Sequence, residues 1–569
     1  LHRLPGVSTM NIAYLARRGY LGWQLRGVNR YLQQAAQCRE IQRNRLEQKL
    51  QANRDSQFGR DYGLDKMRTV EDFRRGMPVT TYEDYRPFVD QVKQGRTDAM
   101  FGPGTEVLMF SMTSGTTSES KYVPITNHFF REYRRSWNVW GLATFRDHPD
   151  LLNKYTLTLG SDWQQFRTEA GIACGSISGL VAETRPRISN SLFLLPAVLN
   201  KVKGTANKLY LVLRIAIASD RVGMIATANP LTLINLARLA DANKERLIRE
   251  VGDGSLDDSI ELEPQLRESL RPYWSKPNPR RARQLEEIVS RTDNLYPADF
   301  WPSMSVVSVW MGGSVSYYLP QVREYFGKNV PLRDHGLSAS EGHMTSPMKD
   351  ETQSGLLDYA SHYFEFIPVD EHGSSKPTIL EADELEVGQD YYILMTTLSG
   401  FYRYDIHDVV RCDGFVGKVP QLTFLNKGAH FSSMTGEKLS EIQVTQAVAN
   451  AFRASEVSIE HFSLVPVPGD PAYYMLLVEL ELEESKSRRL IDSIEKHLSQ
   501  VNCEYEDRRS SHRLGPVVLR SVPAGTWAEH RRQHGAREGA DAYAYKHPFL
   551  AVKPELAQHF RDLASREQT

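Results

Sequence analysis

The chain has 569 residues, 41% hydrophobic and 24% charged, which is the balance of an ordinary globular protein with two or three domains. Its 69 Lys and Arg residues against 70 Asp and Glu leave a formal net charge of −1, so composition gives no reason to expect a nucleic-acid partner. The apolar tracts near 192–199 and 209–219 are too short to span a membrane, and four scattered cysteines without C-x-x-C spacing argue against a disulfide framework or a zinc knuckle. We therefore expect reduced thiols and a cytoplasmic location.

The first predicted element is an amphipathic helix over about 27–54, in which apolar residues recur at helical spacing. A turn at Phe58–Gly63 and short helical segments at Val70–Arg74 and Met77–Tyr85 follow it. Because turns and short helices alternate here, we expect this part of the chain to be a lead-in that folds onto the domain after it.

A buried strand is predicted at the apolar run Val107–Phe110, and an aromatic-rich helix from about Asn127. The stretch between them is rich in small hydroxyl and glycine residues, and we interpret it as a strand-to-helix loop. Glycine lets the backbone turn, N–H and hydroxyl groups can donate to phosphate oxygens, and a lysine adds positive charge. This predicts a phosphate cradle, with an ordinary Ser/Thr-rich surface loop as the alternative. The candidates are Thr113, Ser114, Gly115, Thr116, Thr117 and Lys121.

The middle of the chain alternates strand-like and helical runs, which is the pattern of α/β layers. Strands are predicted at Tyr155–Leu159, Leu209–Leu213 and Gly223–Ala228. Helices are predicted at Leu231–Val251 and Arg283–Arg291.

Two further motifs begin near residue 306. A strand-like run there leads into Gly312, Gly313 and Ser314, where bare backbone can lie along a flat ligand. The segment Asp334–His343 contains Ser338, Ala339, Ser340 and Glu341, and a carboxylate is the kind of hard ligand that Mg²⁺ prefers. His335 and His343 in this segment could suggest zinc, but with no third ligand a structural role is favoured.

The last third carries two more candidate sites. Asp408 lies in Ser399–Arg411, and an ionised carboxylate is a natural acceptor for the two hydroxyls of a diol. A hinge is predicted over about 425–433, followed by Gly436-Glu437-Lys438 and then a helix, a strand pair and a second helix. Near the end, Lys546 and Lys553 each stand shortly before a proline.

These motifs resemble those of a known superfamily. Thr113–Thr117 and Lys121 match the T-S-G-T-T-G-x-P-K loop of adenylate-forming enzymes, with Ser118 and Ser120 in place of Gly and Pro. The earlier segments F-G-R-D-Y-G, V-E-D-F and M-P-V-T-T-Y-E-D resemble the Gretchen Hagen family of acyl acid amido synthetases, known first as auxin-responsive plant proteins. The resemblance covers nearly the whole chain and is weakest between about residues 146 and 300.

The resemblance implies a role for each motif. Gly312–Ser314 and Ser338–Ser340 would lie along the nucleotide, and Glu341 would help to hold a magnesium ion on the phosphates of ATP. Asp408 would accept hydrogen bonds from the ribose, although His407 replaces the usual glycine before it. Lys438 would lie near the nucleotide. Lys546, in the segment that resembles Q-Y-K-x-P, would neutralise phosphate charge, with Lys553 as the rival candidate for that role. Four aromatic residues on the helix after the loop would line an acyl pocket or belong to the core; they are Phe129, Tyr133, Trp137 and Trp140.

The implied fold is α/β, with a large N-terminal α/β domain of the adenylate-forming type (1–427) and a smaller, mobile C-terminal α+β domain (428–569). The implied activity uses ATP and Mg²⁺ to join a small carboxylic acid to an amine or amino acid, through an acyl-adenylate. The residues alone leave two alternatives open. One is acyl transfer to the thiol of coenzyme A, and the other is a nucleotide-binding relative without catalytic activity.

Overall fold

The computed structural model describes residues 12–113, 121–428, 431–535 and 546–565. Its chain contacts divide it into two compact units, and the second takes in two short segments of the preceding chain. Unit 1 consists of Leu1–Met311, Tyr318–Ile406 and Arg411–Thr423. Unit 2 consists of Gly312–Tyr317, His407–Val410 and Phe424–Thr569.

Unit 1 contains fifteen of the helices in the described ranges and the strands β1 to β15. The helices are α1 (Ile12–Gln33), α2 (Cys38–Asn53), α3 (Gln57–Asp61), α4 (Val70–Gly76), α5 (Tyr82–Lys93), α6 (Asn127–Asp147), α7 (Ile177–Glu183), α8 (Arg187–Asn190), α9 (Thr205–Ala216), α10 (Pro230–Ala242), α11 (Lys244–Asp253), α12 (Pro264–Leu270), α13 (Pro279–Thr292), α14 (Pro297–Phe300) and α15 (Leu319–Phe326). The strands are β1 (Val107–Thr113), β2 (Lys121–Thr126), β3 (Tyr155–Thr158), β4 (Phe166–Arg167), β5 (Ala173–Gly175), β6 (Val222–Thr227), β7 (Val306–Val309), β8 (Leu332–Arg333), β9 (Ser338–Ala339), β10 (Gly342–His343), β11 (Thr345–Ser346), β12 (Gly355–Leu357), β13 (Tyr363–Pro368), β14 (Leu380–Glu381) and β15 (Asp390–Thr396). The next two strands, β16 (Tyr404–Val416) and β17 (Val419–Lys427), each carry residues of both units.

A parallel sheet with the strand order β3-β6-β7-β8 forms the α/β layer that the alternating middle region predicted. The strands predicted at Tyr155–Leu159 and Gly223–Ala228 are confirmed as β3 and β6. The strand predicted at Leu209–Leu213 is wrong, because these residues lie in the helix α9. Every residue of α9 from Lys208 to Ala216 is buried, and a helix buried on all sides reads as the same continuous apolar run as a buried strand.

The predicted strand-to-helix loop is instead the connection of a β-hairpin. The strand β1 pairs antiparallel with β2, and Thr113 stands opposite Lys121 in the register. The helix α6 then begins at Asn127, where Thr126 caps it by accepting the N–H of Phe129 at 3.0 Å. A second strand of six residues, Lys121–Thr126, was missed because it is short and contains Pro124, and a proline inside a run argues against a strand.

The buried side chain of Arg403 joins the lead-in to a seven-stranded sheet. The strand order of this sheet is β11-β12-β17-β16-β15-β13-β14. Its guanidinium binds both carboxylate oxygens of Glu365 at 2.9 Å and donates to the carbonyls of Met77 at 2.7 Å and Arg74 at 3.1 Å. Arg403 has φ 48°, in the left-handed region, so the fold holds an arginine in a backbone conformation that favours glycine.

We expect Arg403→Ala to lower the free energy of unfolding by about 3 kcal/mol, because the buried carboxylate of Glu365 loses its bidentate partner and keeps only Arg74 Nε, at 3.1 Å. The matched control is Arg411→Ala in β16, the strand that begins directly after Arg403, since Arg411 binds Asp390 bidentately at 2.7 and 3.0 Å but on the surface. That exposed pair should contribute under about 1 kcal/mol. Urea unfolding of both variants measures the difference, and equal losses would contradict the role given to Arg403.

Unit 2 has α+β structure, as predicted for the end of the chain. Its helices are α16 (Glu441–Ala454), α17 (Glu484–Val501), α18 (Cys503–Ser510), α19 (Thr526–Gly535) and α20 (Pro554–Ser565), and its strands are β18 (Phe431–Ser432), β19 (Leu439–Ser440), β20 (Phe462–Val467), β21 (Tyr473–Val478) and β22 (Val518–Ser521). A sheet ordered β20-β21-β22 packs Val465, Met475 and Leu477 against Trp527 of α19 and Phe560 of α20. The predicted helix, strand pair and second helix are therefore confirmed as α16, β20–β21 and α17.

Among the described helices, none combines the length and the apolar character that a membrane span needs.

Candidate functional site

In unit 1, the predicted metal-binding segment forms a small hairpin beside β1. The strands β9 and β10 pair antiparallel, so Ser340 and Glu341 form the turn between them. The hydroxyl of Ser340 lies 2.9 Å from that of Ser111 in β1. Glu341 is only 4% exposed, and the Tyr404 hydroxyl donates to its Oε1 at 3.5 Å. Ser338 is exposed, whereas Ala339 is half-buried.

Lys121 stands at the start of β2, with its ammonium 5.4 Å from the centre of the Tyr82 ring. The Tyr82 hydroxyl accepts the N–H of Tyr122 at 2.8 Å and donates to its carbonyl at 3.2 Å, which holds the ring beside the hairpin. Burial raises the pKa of Tyr82 to about 12, and the charge of Glu341 contributes to the same rise. The ring of Tyr82 therefore contacts the ammonium of Lys121, and its hydroxyl lies within the electrostatic influence of Glu341. Thr113 is the last residue of β1, while Ser114, Gly115, Thr116 and Thr117 lie outside the described residues.

Asp334 fixes the segment that leads to Glu341, and the sequence did not single it out. Its carboxylate accepts the N–H of Met311 at 2.6 Å, after the end of β7, and the N–H of Gly336 at 2.5 Å. Its carbonyl accepts the indole N–H of Trp140 at 2.8 Å. Burial raises the pKa of Asp334 to about 7, against the opposite effect of the two N–H donors. Asp334 thus joins the end of β7, the loop before β9 and the helix α6.

Of the two histidines in the same segment, His343 is buried and His335 is half-buried, and both pack against Trp137. His335 and His343 lie 5.5 and 5.0 Å from the ring of Trp137, and burial lowers the pKa of each to about 3. Across the ranges that the structure describes, neither belongs to a group of three side chains spaced to hold a metal ion. These observations favour the structural role over zinc. On the same face of α6, Phe129, Tyr133 and Trp140 are buried, and Trp137 is half-buried.

In unit 2, Asp408 is buried and bonded to a lysine that the sequence analysis missed. Lys427 donates its ammonium to Asp408 Oδ1 at 2.7 Å. Lys427 is the last residue of β17, and its place inside the predicted hinge was the available signal. His407 has φ 61°, so the position that resembles the family's glycine does take a left-handed backbone.

Lys546 belongs to the same cluster of charges. Desolvation lowers the pKa of its ammonium, repulsion from Lys427 lowers it further, and attraction from Asp408 and Glu441 opposes both. Of the two rival lysines, the structure therefore brings Lys546 to Asp408. Both lysines are exposed, and Lys553 lies at the residue before α20.

Glu441, the first residue of α16, connects Lys546 with the glycine-rich segment. Its Oε1 accepts the N–H of Phe549 at 3.3 Å, and its carboxyl group also hydrogen-bonds the side chain of Ser314. Gly313, next to that serine, has φ 66°, which only glycine adopts without strain. Burial raises the pKa of Glu441 to about 7.

We expect Glu441 to make unit 2 less stable as the pH rises. Glutamate in an unfolded chain titrates at about 4.3. Between that pH and 7, native Glu441 holds a proton that the unfolded chain has lost, so the free energy of unfolding falls with rising pH. Between pH 5 and pH 8, the free energy of unfolding should fall by on the order of 2 kcal/mol less in Glu441→Gln than in the parent protein.

Urea unfolding at the two pH values measures the effect. The control is Glu484→Gln, an exposed glutamate at the first residue of α17. If Glu441→Gln and the parent protein lose stability equally between pH 5 and pH 8, the assignment of the raised pKa to Glu441 is wrong.

Lys438 lies on a loop shaped by its neighbour Glu437. The buried carboxylate of Glu437 accepts the N–H groups of Met434 and Thr435 at 2.8 Å each and the hydroxyl of Tyr474 at 2.5 Å. Lys438 itself is exposed, with φ 39°. The hydrogen bonds to Glu437 thus shape the loop on which Lys438 is exposed to solvent.

Comparison with known families gives matches along most of the chain. The model described as "GH3 family N-terminal domain" matches residues 27–332, the central-domain model residues 355–427 and the C-terminal-domain model residues 442–555. A jasmonoyl–L-amino acid synthetase of Nicotiana attenuata (JAR4) is 25% identical over 508 residues, covering 86% of this chain and 87% of its own. The indole-3-acetic acid-amido synthetase GH3.15 of Arabidopsis thaliana is 23% identical over 547 residues, covering 91% of each chain.

Solved structures agree on the fold. The acyl acid amido synthetase AtGH3.15 in complex with 2,4-DB superposes with a TM-score of 0.82 at 19% identity, covering 99% of this chain and 98% of its own. A 2-hydroxyisobutyryl-CoA ligase superposes with a TM-score of 0.53 at 14% identity, covering 92% and 91%. At such identities these likenesses establish the fold, which is that of the adenylate-forming ligases.

Proposed function

Because the chain belongs to the GH3 family, we propose that it is an ATP-dependent acyl acid amido synthetase, which adenylates a carboxylic acid and transfers the acyl group to an amine or amino acid. The match of all three GH3 domain models, in order from residue 27 to residue 555, carries the proposal. The names of the plant relatives support amide formation as the reaction class. Those names do not identify the acid or the amine that this chain uses.

The groups of unit 1 suit the handling of phosphate. Lys121 supplies positive charge at the end of the β1–β2 hairpin, and the hydroxyls of Thr113–Thr117 would donate to phosphate oxygens. The Ser340 and Glu341 side chains are hard oxygen donors of the kind that suits Mg²⁺, and Glu341 would hold the ion. When bound, magnesium supplies charge neutralisation and Lewis acidity at the phosphates.

The groups of unit 2 suit the rest of the nucleotide and the developing charge. Asp408 is a buried acceptor for the ribose hydroxyls, and Gly312–Ser314 offer backbone to the adenine ring. Lys438 and Lys546 are the cations of this unit that we assign to the nucleotide, and Lys546 would stabilise negative charge on the phosphates.

The proposed reaction has two balanced steps. A carboxylate oxygen of the acid attacks the α-phosphorus of ATP, the bond to the β-phosphate oxygen breaks, and pyrophosphate leaves. The amine nitrogen then attacks the acyl carbon, the carbon–oxygen bond to AMP breaks, and the nitrogen loses a proton to solvent. The products are an amide, AMP and pyrophosphate.

ATP–pyrophosphate exchange across a panel of aryl, indolyl and aliphatic acids tests this proposal. We expect exchange with at least one acid, and an amide by mass when amines and amino acids are added. A thioester formed with coenzyme A, in place of an amide, would move the protein to the thioester-forming class. Absence of exchange with every acid, alongside measurable ATP binding, would contradict catalysis and favour a nucleotide-binding relative.

A further inference from the structure

The carboxyl end of β3 has polar groups that the proposed function does not use. In parallel sheets, ligands bind where the carboxyl ends of the strands meet, and β3, β6 and β7 run parallel with their ends at one edge. The chain leaves β3 at Thr158 and continues through Gly160. A Cβ on Gly160 would stand 3.2 Å from the Ser178 hydroxyl and 3.5 Å from the Asn200 amide, so small polar groups surround this end of the strand.

Arg185 reaches the end of β3 from the segment after α7. Its Nη2 donates to the hydroxyl of Thr158 at 2.5 Å, and its guanidinium carbon lies 3.7 Å from the centre of the Phe193 ring. Stacking on an aromatic ring fixes the plane of the guanidinium while leaving its edge free to donate. Desolvation alone lowers the pKa of Arg185 to about 10.

The charge of Arg185 is not matched by a carboxylate. Arg185 is half-buried, and three buried arginines of unit 1 do have such partners: Arg403 binds Glu365, Arg333 binds Asp147 and Asp350, and Arg214 lies 3.5 Å from Glu250. Arg281, also buried, instead donates to the carbonyls of Ile217 and Phe300 and to the Gln284 amide oxygen, three acceptors against the single one of Arg185. Arg185 makes one side-chain hydrogen bond and no ion pair within the parts of the chain that the structure describes. Desolvated charges are normally paired, so this guanidinium is suited to an anion from outside the chain.

A second cation strengthens the positive potential at this end of the sheet. Lys208 of α9 is 5% exposed, and its ammonium donates to the carbonyls of Gly160 at 2.5 Å and Asn200 at 3.4 Å. Lys208 therefore lies beside the same loop that follows Thr158. Two desolvated cations at one strand end favour a negative ligand there.

We propose that Arg185 forms a subsite for a carboxylate that the reaction leaves intact. The planar guanidinium matches a carboxylate as a two-point donor, and the amide-forming step consumes only one carboxylate, that of the acyl donor. Two sources have this chemistry: the α-carboxylate of an amino-acid acceptor and a second carboxylate on a dicarboxylic acid donor. The inference rests on the proposed function and specifies one of its substrates.

Kinetics of Arg185→Gln with paired substrates tests the subsite. One arm compares a mixture of the twenty amino acids with the corresponding amino acid amides as acceptors, read by product mass. The other arm compares terephthalate with benzoate, and adipate with hexanoate, in pyrophosphate exchange. In one of the two arms, we expect Arg185→Gln to lower kcat/KM for the substrate with the extra carboxylate on the order of 100-fold, mostly through a higher KM. For the paired substrate without that carboxylate, kcat/KM should stay within about threefold of the parent value. The arm that responds identifies the source.

The matched control is Arg221→Gln at the opposite end of β3. Arg221 is exposed, stacks 5.4 Å from the Tyr155 ring and donates to a carbonyl, and its loss should leave both arms unchanged. Arg185→Lys keeps the charge without the planar fork and should fall between the parent protein and Arg185→Gln. If Arg185→Gln fails to fold, Arg185→Lys carries the test.

Three results would overturn the subsite. The variant could treat carboxylate-bearing and carboxylate-free substrates as the parent protein does, it could lose both equally, or the parent protein could accept only simple amines and monocarboxylic acids. Failure of the proposed function looks different, because the parent protein would then give neither exchange nor amide with any pair.

Discussion

Replacing Lys546 by alanine should slow pyrophosphate exchange by on the order of 100-fold or more, the largest loss that we expect from a single residue of unit 2. Lys546 is exposed, and the charges of Asp408 and Glu441 act on its ammonium, so its positive charge is available to offset the negative charge that develops on the nucleotide phosphates. Asp408 keeps Lys427 at 2.7 Å in the variant, so the buried aspartate stays paired and the fold should survive. Thermal unfolding of the variant checks that expectation.

The control for Lys546 is Lys553→Ala, which removes the rival lysine from an exposed position at the residue before α20. It should exchange pyrophosphate within about twofold of the parent protein. Supplying a purified acyl-adenylate to Lys546→Ala separates the two half-reactions, and amide should then form at close to the parent rate. If Lys553→Ala is the variant that loses exchange, the roles assigned to the two lysines are reversed.

Glu341→Gln should also reduce exchange by on the order of 100-fold, because the substitution removes a charged oxygen ligand from the β9–β10 turn. Glutamine has nearly the same shape and can still accept from the Tyr404 hydroxyl, so the fold should change little. The Mg²⁺ concentration for half-maximal exchange should rise severalfold in the variant. A titration with MgCl₂ at saturating ATP and acid measures this rise.

Glu106→Gln is the control for Glu341, since Glu106 is an exposed glutamate at the residue before β1. Its magnesium titration should coincide with that of the parent protein. Lost exchange in Glu341→Gln with an unchanged magnesium requirement would argue that Glu341 acts on something other than the metal.

The sequence predicted best those features that depend on local patterns. Strands such as β3 and β6 are short apolar runs rich in Val, Ile, Leu and Thr, and helices such as α16 carry a capping box, here formed by Ser440 and Gln443. The helix α9 was predicted as a strand because its residues are buried on every side, which erases the helical period. Periodicity shows how a segment alternates between apolar and polar surroundings, and it fails where no such alternation exists.

The candidate site was predicted only in part, because several of its contacts join residues far apart in the chain. The family resemblance marked Asp408 and Lys546, which the structure brings together, and the resemblance itself is confirmed by the GH3 domain models. Lys427, Tyr82 and Asp334 lie within or beside segments that the sequence marked, but it assigned them no role, because their contacts depend on strand pairing and on loop geometry. The domain boundary at 427/428 and the cytoplasmic location stay predictions.

The measurement that tests the account most directly follows oxygen from the acid into the products. With an acid labelled with ¹⁸O in its carboxylate and an acceptor amine, the account predicts one ¹⁸O atom in each AMP released and the other in the amide carbonyl. That result requires a bond between the carboxylate and the α-phosphorus. Label in inorganic phosphate with ADP as the nucleotide product, or amide formation with unlabelled AMP, would contradict an acyl-adenylate and with it the central claim.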